Sequence, residues 1–134
     1  MNLKPHEIMA IAMAAEIAAK NPHKHRFGCV TTDAKNMVVA TAENNPVKSH
    51  PLQARYADQV GLGKKIYLHS EIAALVKSRC NTPKHLYVVR MKADNTFGMA
   101  RPCPVCMEAI KASGVAVIYY SGYDGSIHKE VVSD

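Results

Sequence analysis

The chain has 134 residues, of which 48% are hydrophobic and 21% are charged, and its formal net charge is +6. This length fits one domain with one core, and the composition excludes a disordered chain and a repeat array. The positive charge favours anionic partners such as nucleotides or nucleic acid, although a solvated surface explains most of the scattered basic residues. We therefore predict a single domain over residues 1–134.

The first predicted element is an alanine-rich helix. Pro5 suits a first helical position, and apolar residues recur at helical spacing until Asn21-Pro22 stops the pattern. The apolar stretch 8–19 is interrupted by Glu16, is too short to span a bilayer and precedes no signal-type cleavage pattern. We predict no membrane association and a cytoplasmic location.

A hairpin and a long connection follow this helix. Two strand-like runs, 27–32 and 37–42, flank the residues 33–36, whose Asp and Asn suit a turn. The segment 44–65 is rich in Pro and Gly, with a short helical piece expected around 52–60. A connection of this length inside a compact domain usually binds a ligand or covers a site, so we expect it to be a substrate loop.

The second half of the sequence predicts alternating helices and strands. Gly114 is suited to end a helix, because glycine readily adopts the left-handed conformation of a C-cap. The predicted elements are helices over 70–79 and 104–113 and strands over 86–91, 115–120 and 127–132, with a pairing segment at 96–100. The last two strands are expected to be antiparallel. The order αββαβαββ predicts an α/β domain of three layers, with a mixed sheet of about five strands and helices on both faces.

Cys103 and Cys106 lie at the start of one predicted helix. Being three residues apart on a first turn, their sulfurs can face the same metal ion. Pro104 suits the first helical position, and the positive helix N-terminus favours thiolate over thiol. Cys29 and Cys80 are isolated, so the CxxC pair indicates metal or redox chemistry in a reducing compartment rather than structural disulfides.

His69 and Glu71 lie at the start of the other helix. Residues two apart within a helix point to nearly opposite sides, but His69 can precede the first turn while Glu71 lies within it. Both side chains can then face one water. A zinc ion with three protein ligands keeps a fourth position for such a water, and zinc lowers the pKa of that water from about 15.7 to about 7.

The two motifs, HSE at 69–71 and PCPVC at 102–106, resemble the H-x-E and P-C-x-x-C signature of the zinc-dependent cytidine and deoxycytidylate deaminase superfamily. The resemblance implies a Zn²⁺ ion held by His69, Cys103 and Cys106, with Glu71 as the catalytic base and then acid. Hydroxide would attack C4 of cytosine or C6 of adenine, and ammonia would leave.

The same resemblance implies which residues contact the substrate. Asn44 corresponds to an asparagine after the second strand that contacts the sugar or the base, although an ordinary strand-ending turn residue also fits this position. Backbone groups of Ser70 and Pro102 are expected to hold the base amide or its leaving amine. Phe27 either stacks on the base or packs in the core, and its place in an amphipathic strand favours the core.

The predicted function is the hydrolytic deamination of a cytosine nucleoside or nucleotide of the cytidine, deoxycytidine or dCMP type. The partner is then a small molecule, and the resemblance also implies a homo-oligomer. The alternative is deamination of cytosine or adenine within single-stranded DNA or RNA, which the basic charge permits. A chain that ends in a hairpin instead of a further helix argues against it, as does the scarcity of stacking aromatics, with no Trp and two Phe. The subfamily stays open, because the His ligand matches deoxycytidylate deaminases and the hairpin ending does not.

Three other interpretations of the metal motif stay open. A structural zinc site would need a fourth ligand from Cys80, His85 or Cys29, and it leaves Glu71 without a role. A thioredoxin-like redox pair fits CxxC but not the order of elements. A zinc-bearing binding module would need no catalytic carboxylate.

Overall fold

The structure is a computed structural model, and it describes residues 2–49, 51, 54–55, 67–78 and 81–132. Within these residues the three longer helices are α1 (Pro5–Lys20), α2 (Ser70–Ser78) and α3 (Pro104–Ala112). The strands are β1 (Arg26–Thr32), β2 (Val38–Glu43), β3 (Asn45–Ser49), β4 (Tyr67–Leu68), β5 (His85–Met91), β6 (Phe97–Gly98), β7 (Val117–Ser121) and β8 (Ile127–Val131).

A mixed sheet forms the centre of the fold. Its strand order is β2-β1-β5-β7-β8, and β6 pairs with β5. The β5–β7 pair is parallel, whereas β1 is antiparallel to both of its neighbours and β7 is antiparallel to β8. The antiparallel β7–β8 hairpin confirms the prediction for the last two strands. The strands β3 and β4 form a separate two-stranded sheet.

The sheet separates two apolar clusters, because successive side chains of a strand point to opposite faces. Along β5, Leu86 and Val88 belong to one cluster, whereas Tyr87 and Val89 belong to the other. Helix α1 covers the face of Tyr87, and α2 and α3 cover the face of Leu86. The three layers, with helices on both faces of a mixed sheet, are therefore as predicted.

The segment 44–65 differs from its prediction as a connection without strands, because β3 lies within it. Pro46 argues against a central strand, but β3 pairs with β4 alone, and a strand at a sheet edge tolerates proline. Residues 51, 54 and 55 are helical, while the rest of the predicted helical piece at 52–60 lies outside the described residues. Within the described residues the central sheet has six strands, close to the predicted number of about five, and the pairing segment contributes β6.

None of the helices in the described part of the chain is both long and apolar enough to cross a membrane. The apolar stretch 8–19 lies within α1 and packs on the sheet through Ala10, Ile11 and Ala14.

Gly28 lies where β1 passes close to α1. A Cβ atom at this position would lie 2.1 Å from the carbonyl oxygen of Ala14 and 2.7 Å from the backbone nitrogen of Ala18. We expect Gly28→Ala to lower the free energy of unfolding in urea by about 1–3 kcal/mol or more, because α1 must move away from the sheet. Gly98→Ala is the matched control, since its Cβ would meet flexible side-chain carbons, the nearest at 3.0 Å. Equal losses for the two variants would contradict this explanation.

Candidate metal centre and active site

Two helix N-termini supply the residues of the candidate site. The carbonyl of His69 accepts a hydrogen bond from the N–H of Ala73 at 3.0 Å, so His69 immediately precedes the first turn of α2. Cys103 is the N-cap residue of α3, and its carbonyl accepts a hydrogen bond from the N–H of Met107 at 2.9 Å. The first ligand of each motif, His69 or Cys103, is thus the last residue before a helix.

The geometry brings three potential metal ligands together. The ligand atoms of His69, Cys103 and Cys106 lie within 4.8 Å of one another. His69 Nδ1 lies 3.2 Å from Cys106 Sγ and 3.6 Å from Cys103 Sγ. Zn–N bonds of about 2.0 Å and Zn–S bonds of about 2.3 Å in a tetrahedron place neighbouring ligand atoms roughly 3.5 Å apart. One imidazole and two thiolates at these distances fit a zinc ion.

Within residues 2–49, 51, 54–55, 67–78 and 81–132, no fourth His, Cys, Asp or Glu joins this group. Cys29 is buried outside it, and His85 Nδ1 forms a hydrogen bond with Thr32 Oγ1 at 3.1 Å. Cys80 lies outside the described residues. Cys29 and His85, two of the three residues considered as a fourth ligand of a structural zinc site, are therefore not part of the cluster.

The electrostatics of the cysteine pair favour a metal cation. A hydrogen bond from Cys106 lowers the pKa of Cys103 to about 3 against the effect of partial burial, and His69 adds to the lowering. The same hydrogen bond, together with burial, raises the pKa of Cys106. The lowered pKa of Cys103 favours its thiolate, which is the form of cysteine that binds a metal ion.

Glu71 lies in the first turn of α2 and is 5% exposed. Burial raises the pKa of its carboxyl above the ordinary value of 4.5, although His69 and a hydrogen bond from Ser70 oppose this effect. Ser70 Oγ donates that hydrogen bond to Glu71 Oε1 at 2.8 Å. The structure therefore gives Ser70 a side-chain role in orienting Glu71, which sequence analysis did not predict.

The sequence matches the model of one protein family, described as the cytidine and deoxycytidylate deaminase zinc-binding region, over residues 3–122. The chain belongs to this family. The match agrees with the resemblance carried by the two motifs, and it covers most of the chain rather than the motifs alone. No curated protein matches the sequence.

Solved structures of deaminases share the fold of this family member. A cytidine deaminase from Burkholderia pseudomallei has 15% sequence identity and a TM-score of 0.62, over 97% of this chain and 94% of that protein. The apo dCMP deaminase from cyanophage S-TIM5 has 19% identity and a TM-score of 0.58, over 90% and 86% of the two chains. A mutant cytidine deaminase from Mycobacterium tuberculosis has 16% identity and a TM-score of 0.52, over 85% and 83%. At these identities the likeness establishes the fold.

The structure also locates the other predicted site residues of this deaminase-family chain. Asn44 is buried between β2 and β3, and its Oδ1 accepts hydrogen bonds from Asn21 and Phe27. Pro102 is buried immediately before Cys103. Phe27 packs against the cluster under α2 and α3, with the Arg90 guanidinium 5.7 Å from its ring centre, which supports a core role.

The segment that leads into the PCPVC motif is tied to the sheet. Ser121, at the end of β7, is fully buried and its Oγ donates a hydrogen bond to the carbonyl of Gly98 at 2.7 Å. The carbonyl of Ser121 accepts a hydrogen bond from the N–H of Ala100 at 2.9 Å. Arg101 donates two hydrogen bonds to the carboxylate of Glu130 on β8, at 2.9 and 3.2 Å. These contacts fix the backbone immediately before the cysteine ligands.

The Arg101–Glu130 pair predicts a pH-dependent contribution to stability. Hydrogen bonding from Arg101 lowers the pKa of Glu130 below its ordinary value of 4.5. Stability from a lowered carboxyl pKa is present above the unfolded-state pKa and is lost as the pH falls through the folded-state value. We expect Glu130→Gln to lower the free energy of unfolding at neutral pH by about 0.2–1 kcal/mol, because both side chains are partly exposed. In urea titrations the difference should begin to shrink as the pH falls through 4.5 and should vanish once the pH lies below the lowered pKa of the folded state. A difference that persists unchanged in acid would contradict the assignment.

Proposed function

We propose that this deaminase-family chain is a zinc-dependent hydrolase that converts a cytosine nucleoside or nucleotide to its uracil counterpart and ammonia. The observation that carries the proposal is the cluster of His69, Cys103 and Cys106 with a buried carboxylate beside it. Glu71 interacts electrostatically with both His69 and Cys103, and it is not part of the ligand group. A metal triad next to an unbound acid is the arrangement that hydrolytic deamination needs.

The residues divide the reaction between metal binding and proton transfer. Zinc held by His69, Cys103 and Cys106 would supply a water activated at neutral pH. Glu71 takes the two protons of the attacking water in turn, and it delivers one to N3 of the ring and the other to the leaving amine. The water oxygen becomes bonded to C4 of the cytosine ring, the bond from C4 to the exocyclic nitrogen breaks, and ammonia leaves. Ser70 keeps the Glu71 carboxylate oriented during these transfers.

Backbone groups of Ser70 and Pro102 flank the proposed metal ligands in sequence. We propose that they hold the amide edge of the base and its leaving amine. Asn44 is proposed to contact the sugar or the base, which its burial beside the end of β2 supports more than a simple turn role.

The proposed substrate is a free nucleoside or nucleotide. Single-stranded nucleic acid is commonly bound by stacking bases on accessible aromatic rings. Tyr87 and Tyr119 instead stack on each other inside the core, with ring centres 4.4 Å apart. Their exposed fractions are 1% and 4%, so neither of these two rings offers a stacking platform, whereas Tyr123 is 71% exposed. Two of the similar structures are named as cytidine deaminases and one as a dCMP deaminase, which supports a cytosine nucleoside or nucleotide as the substrate.

A substrate panel tests this proposal. Purified, zinc-loaded protein is incubated with cytidine, deoxycytidine, dCMP, adenine and guanine compounds and a cytosine-containing single-stranded oligonucleotide, and products are separated by mass. We expect a uracil product and ammonia from at least one small cytosine compound. Products from the oligonucleotide alone would support a polynucleotide deaminase. No ammonia from any compound, with zinc bound, would support a zinc-bearing binding module.

We further propose that residues 1–134 form one catalytic domain, that the protein is cytoplasmic and that it assembles as a homo-oligomer. The proposed assembly rests on the family resemblance alone. Equilibrium ultracentrifugation that finds a monomer at working concentration would contradict the assembly.

A further inference from the structure

Asn21 lies between α1 and β1, and its buried side-chain amide forms hydrogen bonds through both its oxygen and its nitrogen. Its Oδ1 accepts a hydrogen bond from the N–H of His23 at 2.9 Å. Its Nδ2 donates to the carbonyl of Phe27 at 3.2 Å and to Asn44 Oδ1 at 2.7 Å. Burying an amide at 4% exposure is costly unless its polar atoms are paired. Asn21 is therefore held in one orientation.

Neighbouring backbone groups determine whether the oxygen or the nitrogen of the Asn21 and Asn44 side-chain amides faces each partner. A backbone N–H can only donate, so the atom of Asn21 that faces the N–H of His23 must be oxygen. The nitrogen of Asn21 then faces Asn44. The N–H of Phe27 also points at Asn44, at 3.1 Å, and requires an oxygen there. Both donors thus occupy Asn44 Oδ1 and leave the Nδ2 amide group directed away from them.

Strand pairing brings Asn44 to the same end of a small sheet as the first candidate metal ligand. Asn45 on β3 is the antiparallel register partner of Leu68 on β4. In an antiparallel pair, stepping back along one strand corresponds to stepping forward along the other. Asn44 immediately precedes Asn45, and His69, the first of the three clustered ligands, immediately follows Leu68, so both residues lie just beyond the same end of this strand pair.

We infer that Asn21 is a positioning residue that holds Asn44 with its amide hydrogens toward the site, so that Asn44 donates a hydrogen bond to an oxygen of the substrate. The inference rests on the proposed function, because the ligand is the nucleoside or nucleotide of that site. In this orientation Asn44 donates a hydrogen bond to the substrate but does not accept one. It therefore favours a substrate with an acceptor oxygen at this point, either a sugar hydroxyl oxygen or a ring carbonyl.

Two variants separate the positioning contact from the substrate contact. Asn21→Asp keeps the acceptor for His23 but places a carboxylate against Asn44 Oδ1, so it should turn or displace the Asn44 amide. Asn44→Asp keeps an acceptor for both Asn21 and Phe27 but removes the hydrogens that face the site. The exposed Asn81→Asp introduces the same chemical change away from these contacts.

The measurements are kcat and KM for cytidine and dCMP, with zinc content and thermal unfolding followed for each variant. We expect Asn21→Asp and Asn44→Asp to raise KM by about tenfold to a hundredfold, the effect of losing one hydrogen bond to a buried group. We expect kcat to change much less, and zinc content and Asn81→Asp to match the wild type. A wild-type KM in folded, zinc-loaded Asn44→Asp would overturn the inference, as would a wild-type KM in Asn21→Asp.

Side-chain amide spectra test the contact without turnover. In ¹⁵N-labelled protein, both Nδ2 hydrogens of Asn21 are bonded and should exchange slowly with solvent, and the Asn44 amide resonances should shift in Asn21→Asp. Rapid exchange at Asn21 in the wild type would overturn the inference. If the wild type deaminates no compound of the panel, the proposed function fails, whereas these spectra still decide whether Asn21 orients Asn44.

Discussion

Replacing Glu71 by glutamine is expected to lower kcat for deamination by about 10²- to 10⁴-fold, the usual contribution of a positioned acid or base. Glutamine retains an acceptor for the Ser70 hydroxyl but cannot take a proton from water. Because Glu71 lies outside the ligand triad, the variant should keep its zinc and its fold. Ammonia release, metal analysis and thermal unfolding measure the three properties.

Glu108→Gln is the matched control for this variant. Glu108 lies on α3, two residues beyond the cysteine motif, and belongs to no ligand cluster within the described residues. Its kcat should stay close to that of the wild type. Turnover that survives both Glu71→Gln and Glu71→Ala would refute the proton-transfer role, and loss of zinc in either would assign Glu71 to the metal instead.

Cys106→Ala is expected to abolish stoichiometric zinc binding and, with it, activity. The wild type should bind about one zinc ion per chain, because its three ligands form one site. Removing a ligand should cost more affinity than the roughly 10- to 100-fold loss that follows removal of an outer-sphere partner. Metal analysis after dialysis against a weak chelator measures the loss.

Cys29→Ala serves as the control for the cysteine variant. Cys29 and Cys106 are both fully buried and belong to the same apolar cluster, but Cys29 lies outside the ligand group. Both variants remove a buried thiol, and we expect the Cys29 variant alone to retain zinc. Full zinc occupancy in Cys106→Ala would rule out the proposed metal centre.

Local sequence signals were sufficient to predict the layers of this fold. Strands such as β5 are apolar on both faces, as a strand covered by helices on both sides requires. The start of α3 was marked by Pro104 and its end by Gly114, whose φ of +88° is the left-handed conformation expected of a C-cap. The ligand cluster was predictable because His69 and Cys103 each stand at a helix start that the sequence also marks.

The features that escaped prediction depend on partners far away in the chain. Asn21 was interpreted only as part of a helix stop, because nothing near it in sequence reveals that it bonds Asn44. Ser121 stabilises the segment before the cysteine motif through its hydrogen bond to Gly98. The residues next to it in sequence indicate only the end of a strand. The strand β3 was missed because its proline is tolerated only in a strand with a single partner.

The pairing of β1 with β5 has a consequence for how the chain folds. Even the pair closest in sequence, Thr32 with His85, encloses a long loop. Closing this loop costs conformational entropy before the strand contacts can stabilise the chain. Topologies dominated by such distant pairings reach the native state slowly. Helix α1 and the β1–β2 hairpin can assemble from neighbouring residues, whereas the imidazole and the two sulfurs meet only after β5 has docked. Metal capture is therefore expected to complete refolding rather than to begin it.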